Sequence, residues 1–273
     1  MALDRDIAAH YALGSERERL LGPGGRLEYV RTQELLARFL PPPPAVVLDV
    51  GGGPGEHALA LAAAGYDVHL LDPIELHVEQ ARERSRAERA PLAGAQVGDS
   101  RRLPYPDTCA DAVLLLGPLY HLTERADRLA ALAEARRVLC RGGLLAAAAI
   151  SRFASTFDGL ARGFLAEPEF ERIVERSVRD GAHRNPDPRA RPEWFTTAYF
   201  HRPDELRGDL VDAGFDVEAA LAVEGPGSFR PELDAWLEDP ARRAALLRAI
   251  RRVEAEPSLL GASAHLLALA RSP

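Results

Sequence analysis

The feature that most restricts the fold is a short apolar segment that runs directly into a glycine-rich turn. Residues 46–50 read VVLDV, and residues 51–55 read GGGPG. A short β-branched run predicts a buried strand, and glycines allow backbone conformations that other residues rarely adopt. Because residues 57–64 have a helical composition, we predict a strand, a tight turn and a helix. The free amides at the start of such a helix attract negative charge.

The rest of the chain repeats this alternation of strand and helix. Strands are predicted at 45–50, 67–71, 95–97, 111–116, 144–150, 215–223 and 264–270. Helices are predicted at 27–40, 57–64, 74–90, 125–139 and 204–213. Such alternation is typical of βαβ units, whose parallel strands are covered by helices on both faces. We therefore predict an α/β fold, a three-layer sandwich around a mostly parallel seven-stranded sheet.

Composition and charge exclude several classes of protein. The chain has 34 basic and 41 acidic residues, and this acidic balance disfavours a nucleic-acid backbone as partner. Its two cysteines lack the paired spacing of a metal site or a disulfide framework. The first residues do not resemble a signal peptide, and no apolar run approaches the ~20 residues of a membrane helix. We expect a cytoplasmic protein without metal, nucleic-acid partner or membrane association.

The spacing of the glycines separates two classes of cofactor site. A dinucleotide-binding motif has the spacing G-x-G-x-x-G, but here the glycines stand at 51, 53 and 55, and position 56 is Glu. The pattern is preceded by Asp49 and followed, 17 residues after its last glycine, by Asp72. In these features, residues 46–150 resemble the class I S-adenosylmethionine-dependent methyltransferases. The resemblance implies a Rossmann-like methyltransferase fold with an N-terminal helical lid and a helical insertion after strand 5.

The resemblance also implies which residues bind the cofactor, S-adenosylmethionine. The glycine turn would wrap its amino-acid and sugar portions, and Asp72 would accept hydrogen bonds from both ribose hydroxyls. Asp99 would accept from the adenine amino group. The full predicted set in this region is Asp49, Gly51, Gly53, Gly55, Asp72, Pro73, Asp99, Ser100, Leu116 and Gly117. A plain turn role for Asp99 and a purely loop-fixing role for Asp49 remain alternatives.

The loop after the fourth predicted strand supplies the catalytic candidates. In the family, the transferred methyl group meets its acceptor at this loop, which reads GPLYH at residues 117–121. His121 suits a general base because the ordinary pKa of imidazole lies near neutrality, and Tyr120 is its neighbour. The alternative is that His121 only hydrogen-bonds the backbone or the cofactor.

Two residues near the N-terminus are further candidates for contact with the cofactor. The ring of Tyr11 would lie over the sulfonium cation, and the guanidinium of Arg31 would bind the cofactor carboxylate. Family members often fold an N-terminal helix over the cofactor, and residues 27–32 (LEYVRT) resemble such a lid. The alternatives are a packing role for Tyr11 and a solvated position on an amphipathic helix for Arg31.

Residues 152–200 interrupt the alternation of strand and helix. They are rich in aromatic residues and arginine and contain prolines at 186, 188 and 192, which predicts an insertion that covers the sheet. In or beside it, the residues predicted to form an acceptor pocket are Trp194, Tyr199, Phe200 and His201, and His183 and Phe195 are further candidates for its lining. The alternative is that these side chains pack a small core within the insertion.

The expected organisation is a single domain in four parts. These are lid helices at 1–40, a cofactor-binding half at 41–151, the capping insertion at 152–200 and the C-terminal part of the sheet at 201–273. The expected oligomeric state is a monomer or a homodimer.

The expected reaction is methyl transfer to an oxygen, nitrogen or carbon atom of a metabolite, mainly through proximity and orientation. S-adenosylhomocysteine would be the product of the cofactor. Three alternatives remain: an NAD(P)-dependent oxidoreductase of Rossmann type, a non-catalytic cofactor-binding protein, and an RNA or protein methyltransferase. A small-molecule acceptor is favoured because no base-reading tetrapeptide such as NPPY follows the fourth predicted strand.

Overall fold

A computed structural model describes residues 4–12, 14, 16–22 and 24–273. The strands are β1 (Val46–Val50), β2 (Asp67–Asp72), β3 (Gly94–Val97), β4 (Ala110–Leu115), β5 (Leu139–Ile150), β6 (Ala182–His183), β7 (Ala198–Tyr199), β8 (Asp216–Ala222) and β9 (His265–Arg271). The helices are α1 (Arg5–Tyr11), α2 (Glu16–Leu21), α3 (Arg26–Phe39), α4 (Glu56–Ala63), α5 (Glu75–Ala87), α6 (Pro118–His121), α7 (Arg125–Val138), α8 (Ala154–Arg162), α9 (Pro168–Asp180), α10 (Pro203–Asp212), α11 (Leu233–Glu238), α12 (Pro240–Arg251) and α13 (Pro257–Leu260).

Within the described ranges, seven strands form one sheet in the order β3-β2-β1-β4-β5-β9-β8. Strands β1 to β5 pair in parallel, and β9 is antiparallel to both of its neighbours. The chain progresses outwards from β1 in both directions, first through β2 and β3 and then through β4 and β5. Ligand crevices in open α/β sheets form at such a switch point, beyond the carboxyl ends of the strands.

Both faces of the sheet are buried under helices, which confirms the predicted three-layer fold. On one face, Leu132 of α7 and Leu206 of α10 pack in one core cluster with the strands. On the other face, Leu35 of α3, Leu61 of α4 and Val78 of α5 pack in a second cluster. Burying both faces explains why β1 and β4 are apolar along almost their whole length rather than alternating.

Most predicted elements are confirmed to within a few residues, with differences at three places. Residues 118–121, expected in a loop, form the short helix α6. Strand β5 begins at Leu139 rather than at 144, because Leu139 already pairs with Ala110 before the register shifts. The sequence interpretation also missed α11, α12 and α13, which lie between β8 and β9. A signal for α12 was present, since Asp239 precedes Pro240 and its side chain accepts hydrogen bonds from the amides of Ala241 and Arg242.

The predicted insertion after β5 contains α8, α9 and a small sheet formed by β6 and β7. The predicted helical lid corresponds to α1, α2 and α3. In the part of the chain that the structure covers, no helix is long and apolar enough to cross a membrane.

Candidate active site

The glycine turn after β1 depends on backbone conformations that favour glycine. Gly51, Gly53 and Gly55 have φ angles of 73°, 54° and 88°. A Cβ atom on Gly51 would lie 2.6 Å from the side chain of Pro118, so this position has no room for a side chain. The turn therefore presents bare backbone at the carboxyl end of β1, at the switch point of the sheet.

A cavity of about 430 Å³ lies at this edge of the sheet. Most of the predicted site residues line it, namely Tyr11, Asp49, Gly51, Gly53, Asp72, Pro73, Asp99, Ser100, Leu116, Gly117, Tyr120 and His121. Gly55 is not among the lining residues, because it starts α4 and packs towards Ala81. Residues that are distant in the sequence are thus brought together around one enclosed space.

The carboxylate of Asp72 is held at the end of β2 by backbone amides. Oδ2 accepts from the amide of Gly53 at 2.8 Å, and Oδ1 accepts from the amide of Ile74 at 2.9 Å. His77 was missed by the sequence interpretation, yet its Nδ1 lies 3.2 Å from Oδ1. The signal for it was its position in the first turn of the helix that follows Asp72. A carboxylate offers about four lone-pair sites, so the fixed group keeps capacity for a ligand hydroxyl.

Two buried polar groups beside the turn lack partners. Neither oxygen of Asp49 nor the Nε2 atom of His77 forms a hydrogen bond of 3.5 Å or shorter within the described residues. Burial and the nearby charge of Asp72 raise the pKa of Asp49 to about 7, and the Ala58 amide offsets this only partly. Unsatisfied buried polar groups are costly, and a ligand that carries hydroxyl and ammonium donors would satisfy them. S-adenosylmethionine is such a ligand, so these residues fit it.

Asp99 lines the cavity, but its carboxylate is already engaged. Oδ1 accepts from the amide of Arg101 at 2.9 Å, and Oδ2 accepts from its Nη2 at 2.6 Å. Although burial acts in the opposite direction, these bonds hold the pKa of Asp99 below its usual value. The geometry is that of an aspartate-supported turn, the alternative that the sequence left open. The contact with an adenine amino group stays a prediction.

Tyr11 and His121 form a hydrogen bond across the cavity. The hydroxyl of Tyr11 lies 2.6 Å from Nε2 of His121, and Nδ1 of His121 lies 3.3 Å from the carbonyl oxygen of Thr197. Because a carbonyl oxygen only accepts, Nδ1 is the donor, and Nε2 accepts from the phenol. Burial lowers the pKa of His121 to about 4, so the ring is neutral at pH 7. Burial also raises the pKa of the neighbouring Tyr120 well above its usual value.

The insertion reaches this pair through Thr197, which the sequence interpretation did not select, and Phe195, which it named among the aromatic candidates of the insertion. Thr197 provides the carbonyl that fixes the tautomer of His121. Phe195 adopts a positive φ of 68°, and its ring centroid lies 5.8 Å from that of His121 and 6.4 Å from that of Tyr120. A left-handed backbone at a bulky residue is an outlier that the surrounding structure must hold in place.

The four residues predicted to form the acceptor pocket do not line the cavity, which corrects that prediction. Trp194 packs against Phe170 in a core cluster of the insertion, and Phe200 stacks on His183. The Tyr199 ring lies under the guanidinium of Arg128, and His201 is fully buried beside Asp209. Large aromatic side chains bury extensive apolar surface, and here that surface builds the core of the insertion.

Arg31 does not line the cavity either. Its side chain is fully buried and donates to the carboxylates of Glu34 and Glu254 and to the carbonyl of Val223. Both the predicted contact with the cofactor carboxylate and the alternative of a solvated arginine are therefore wrong. Two other arginines, Arg19 and Arg101, line the cavity, and the guanidinium of Arg19 donates to Glu16 and Glu28.

The comparisons with known proteins agree with this geometry. Residues 47–143 match the family model of a methyltransferase domain. The chain is 38% identical to a ubiquinone/menaquinone biosynthesis C-methyltransferase of Acidiphilium cryptum over 41% of this chain and 44% of that protein. It is 32% identical to a malonyl-[acyl-carrier protein] O-methyltransferase of Geobacter sulfurreducens over 73% of this chain and 66% of that protein. The chain therefore spans 44% to 66% of the length of these two relatives.

A solved structure supports the fold over almost the whole chain. An S-adenosylmethionine-dependent methyltransferase from Mesorhizobium loti superposes with a TM-score of 0.58 and 17% sequence identity. The superposition covers 90% of this chain and 99% of that one. At this identity the likeness concerns the fold alone.

Proposed function

Since the chain belongs to the class I S-adenosylmethionine-dependent methyltransferases, we propose that it transfers a methyl group from S-adenosylmethionine to a small-molecule acceptor. The observation that carries the proposal is the single cavity that joins the glycine turn and Asp72 to the Tyr11–His121 pair. A binding place for the methyl donor and a group able to take a proton thereby share one enclosed space. Holding two reactants in reactive geometry accounts for up to ~7–11 kcal/mol of a barrier.

The residues around the glycine turn would hold the cofactor. The bare backbone of Gly53 leaves room for it, and Asp72 and His77 offer polar atoms to its hydroxyls. When bound, S-adenosylmethionine supplies a methyl group on a positively charged sulfur that departs as a neutral thioether. Asp49 lies against the turn, since a Cβ on Gly52 would come within 2.6 Å of its carboxylate, and its unpaired oxygens would take up donors of the cofactor.

His121 is the group that would receive a proton from the acceptor. Its Nε2 carries a lone pair towards the cavity, and the Thr197 carbonyl keeps the ring in that tautomer. Tyr11 lies between this lone pair and the rest of the cavity, so its hydroxyl relays a proton from the acceptor to Nε2. A depressed pKa limits His121 as a base. Its contribution therefore concerns acceptors that must lose a proton, whereas binding and orientation act on any acceptor.

Several observations support a small molecule as the acceptor. The cavity lies under the N-terminal helices and reaches buried side chains such as Ile7, Leu20 and Leu267, which suits a ligand that enters whole. The sequence carries a net charge of −7, which does not favour a nucleic acid. Both curated relatives are named as methyltransferases of carbon or oxygen atoms. The acceptor atom in the present protein is an oxygen, nitrogen or carbon of a metabolite.

Calorimetry with S-adenosylhomocysteine and labelling with methyl-labelled S-adenosylmethionine test this function. We expect the folded protein to bind S-adenosylhomocysteine and to transfer label to a small molecule in a metabolite extract. Asp72→Asn should weaken binding at least about tenfold, because it removes a charged hydrogen-bond acceptor. Asp67→Asn is the matched control, since Asp67 is exposed at the opposite end of β2.

Three results would overturn the proposal. The first is a folded protein that shows no heat with S-adenosylhomocysteine. The second is label that appears only in RNA or protein. The third is binding of NADH, seen as a blue shift of its fluorescence, in place of S-adenosylhomocysteine.

A further inference from the structure

The cavity extends beyond the cofactor-binding turn to a region above β5 and β9. We call this region the distal chamber and define it by Glu28, Thr32, Ala148, Val223, His265 and Leu267. In the sheet, β9 is three strands from β1 and two strands from β4. At about 4.8 Å per strand, these separations are about 14 Å and about 10 Å. The distal chamber therefore lies away from the residues that would hold the cofactor.

His265 is fixed in the distal chamber by a buried carboxylate. Its Nδ1 lies 2.6 Å from Oε1 of Glu224. The other oxygen of Glu224 accepts from Ser263 Oγ at 2.9 Å and from the amide of His265 at 2.9 Å. Three hydrogen bonds thus orient the carboxylate, which in turn orients the imidazole ring. Nδ1 is the donor in this contact, and Nε2 has no hydrogen-bond partner among the described residues.

Glu28 stands beside this histidine and is itself held by an arginine. Its Oε2 lies 3.8 Å from Nδ1 of His265 and 2.8 Å from Nη1 of Arg19. Although burial opposes charge, the carboxylates of Glu28 and Glu224 raise the pKa of His265 to about 9. The ring is therefore protonated at pH 7, and Nε2 carries a hydrogen. The cavity here contains one cationic donor next to one ionised acceptor.

The remaining walls of the chamber determine which ligand group suits this pair. Ala148, Val223 and Leu267 are apolar and buried, and Thr32 is the other polar side chain of the chamber. A ligand carboxylate would face Glu28 and Glu224, and a ligand ammonium would face His265 and Arg19. Each carboxylate is already bound to one of these cations. A neutral group that both accepts and donates a hydrogen bond meets no such repulsion.

We propose that Glu28 and His265 anchor the methyl acceptor by binding one of its hydroxyl groups. The hydroxyl oxygen accepts from Nε2–H of His265, and its hydrogen is donated to the carboxylate of Glu28. The acceptor is then a hydroxylated, otherwise apolar molecule that reaches from the distal chamber to the Tyr11–His121 pair. His265 begins β9 and His121 follows β4, and these two strands lie about 10 Å apart in the sheet. The anchoring hydroxyl therefore lies at the opposite end from the methylated atom. This inference rests on the proposed function.

The test compares two probes of equal shape, 2-naphthol and 2-methylnaphthalene, which differ only in the hydroxyl group. Each is titrated by ligand-observed NMR into protein saturated with S-adenosylhomocysteine. We expect wild-type protein to prefer 2-naphthol at least about tenfold, the value of one buried hydrogen bond. His265→Phe and Glu28→Gln should reduce this preference to about twofold or less. His69→Phe is the matched control, because His69 is partly exposed on β2 and does not line the cavity.

The affinity for S-adenosylhomocysteine separates this inference from the proposed function. It should stay within about threefold of wild type in each variant, and circular dichroism melting checks that each variant is folded. Equal binding of the two probes by wild-type protein, or a preference that survives in both variants, would refute the hydroxyl anchor and leave the methyl-transfer proposal standing. Failure of wild-type protein to bind S-adenosylhomocysteine would refute both.

Discussion

Arg31 of α3 donates a hydrogen bond to Glu254, a residue 223 positions later, with Nη2 2.6 Å from Oε2. Arg38, two turns further along the same helix, donates to the same carboxylate. These contacts join the N-terminal helix that carries Glu28 and Thr32 to the segment that precedes β9. The N-terminal helices and the C-terminal part of the sheet therefore hold one wall of the cavity together.

Removal of the Glu254 charge should destabilise the fold strongly. Glu254→Gln leaves the fully buried Arg31 with an incompletely compensated charge, and loss of one partner of a buried pair costs ~3–5 kcal/mol. The loss is measured as the difference in the free energy of unfolding between wild type and variant, determined by urea titration. Glu238→Gln is the control, because Glu238 is largely exposed and pairs with Arg26 at 3.7 Å, and such pairs contribute ~0–1 kcal/mol. Equal losses in the two variants would contradict the structural role of the buried pair.

Gly51→Ala should impair both folding and cofactor binding. The variant places a Cβ at positive φ and 2.6 Å from Pro118. Gly142→Ala is a closely matched control, since Gly142 has a φ of 74° but open space around it. We expect Gly142→Ala to cost ~1–2 kcal/mol through backbone strain alone, and Gly51→Ala ~1–3 kcal/mol more through overlap. Thermal unfolding and calorimetry with S-adenosylhomocysteine check the two effects. Similar behaviour of both variants would show that the turn tolerates a side chain.

Substitution of His121 should reduce methyl transfer without reducing cofactor affinity. His121→Gln removes the basic nitrogen that accepts from Tyr11, and loss of a general base lowers the rate by ~10²-fold or more. Tyr11→Phe should have a comparable effect, because the proton reaches His121 through the Tyr11 hydroxyl. Turnover of the labelled small-molecule product measures both. A rate unchanged by His121→Gln would show that the acceptor reacts without loss of a proton through this histidine.

Mild acid should destabilise the protein through its buried histidines. Burial lowers the pKa of His57, His121 and His183 to about 4, whereas in the unfolded chain each takes up a proton near pH 6.5. Between about pH 6 and 5 the unfolded state thus binds about three more protons, and stability falls as pH falls. Asp49 offsets one of these three protons, because its raised pKa of about 7 keeps a proton bound in the folded state. These four groups together give a loss of ~2.7 kcal/mol per pH unit. Burial also lowers the pKa of His10 and His201, which act in the same direction.

His183→Gln provides the check on this pH dependence. His183 is buried and donates from Nε2 to the carbonyl of Trp194 at 2.8 Å, a bond that a glutamine amide also makes. In the variant, the difference in bound protons between the unfolded and the folded state should be smaller by about one. The free energy of unfolding should therefore change by ~1.4 kcal/mol less per pH unit. Urea unfolding at three pH values measures how steeply the free energy of unfolding changes with pH. A slope equal to that of wild type would mean that His183 does not titrate as its burial implies.

The pKa of His265 should depend on Glu224. The folded pKa of His265 is raised above the unfolded value, so this group stabilises the fold fully below pH 6.5 and loses that contribution as pH rises through about 9. Glu224→Gln removes one of the two charges responsible and should lower the pKa towards neutrality. Histidine ring resonances in an NMR titration report it directly. A pKa that stays near 9 in Glu224→Gln would assign the whole shift to Glu28.

Local patterns in the sequence predicted one half of the site, and long-range contacts determined the other half. The strand β1, the glycine turn and Asp72 were recognisable because their function depends on neighbours within a few dozen residues. Arg31 was misassigned because its partner Glu254 is 223 residues away. No pattern in the neighbouring residues predicts a buried ion pair over that separation. His77 lies only five residues after Asp72, so a local pattern could have identified it, and the sequence interpretation overlooked it.

The insertion shows a different limit of sequence interpretation. Its aromatic residues were correctly seen as a group, but the same composition suits a ligand pocket and a small core. Packing decides between them, and Trp194 lies inside the core with Phe170. What the insertion gives the site is a carbonyl at Thr197 and a strained backbone at Phe195. Backbone contributions of this kind leave little trace in the residue types.

The position of the distal chamber bears on how proteins of this kind diverge. The region shared with the methyltransferase domain, residues 47–143, contains Asp72 and His121, whereas Glu28 and His265 come from the flanks on either side. On the two proposals above, the matched block carries residues for the methyl donor, and the flanks carry the residues that anchor the acceptor. A chimaera that keeps residues 47–143 and receives both flanks of a relative should therefore adopt the selectivity of the relative that donated the flanks.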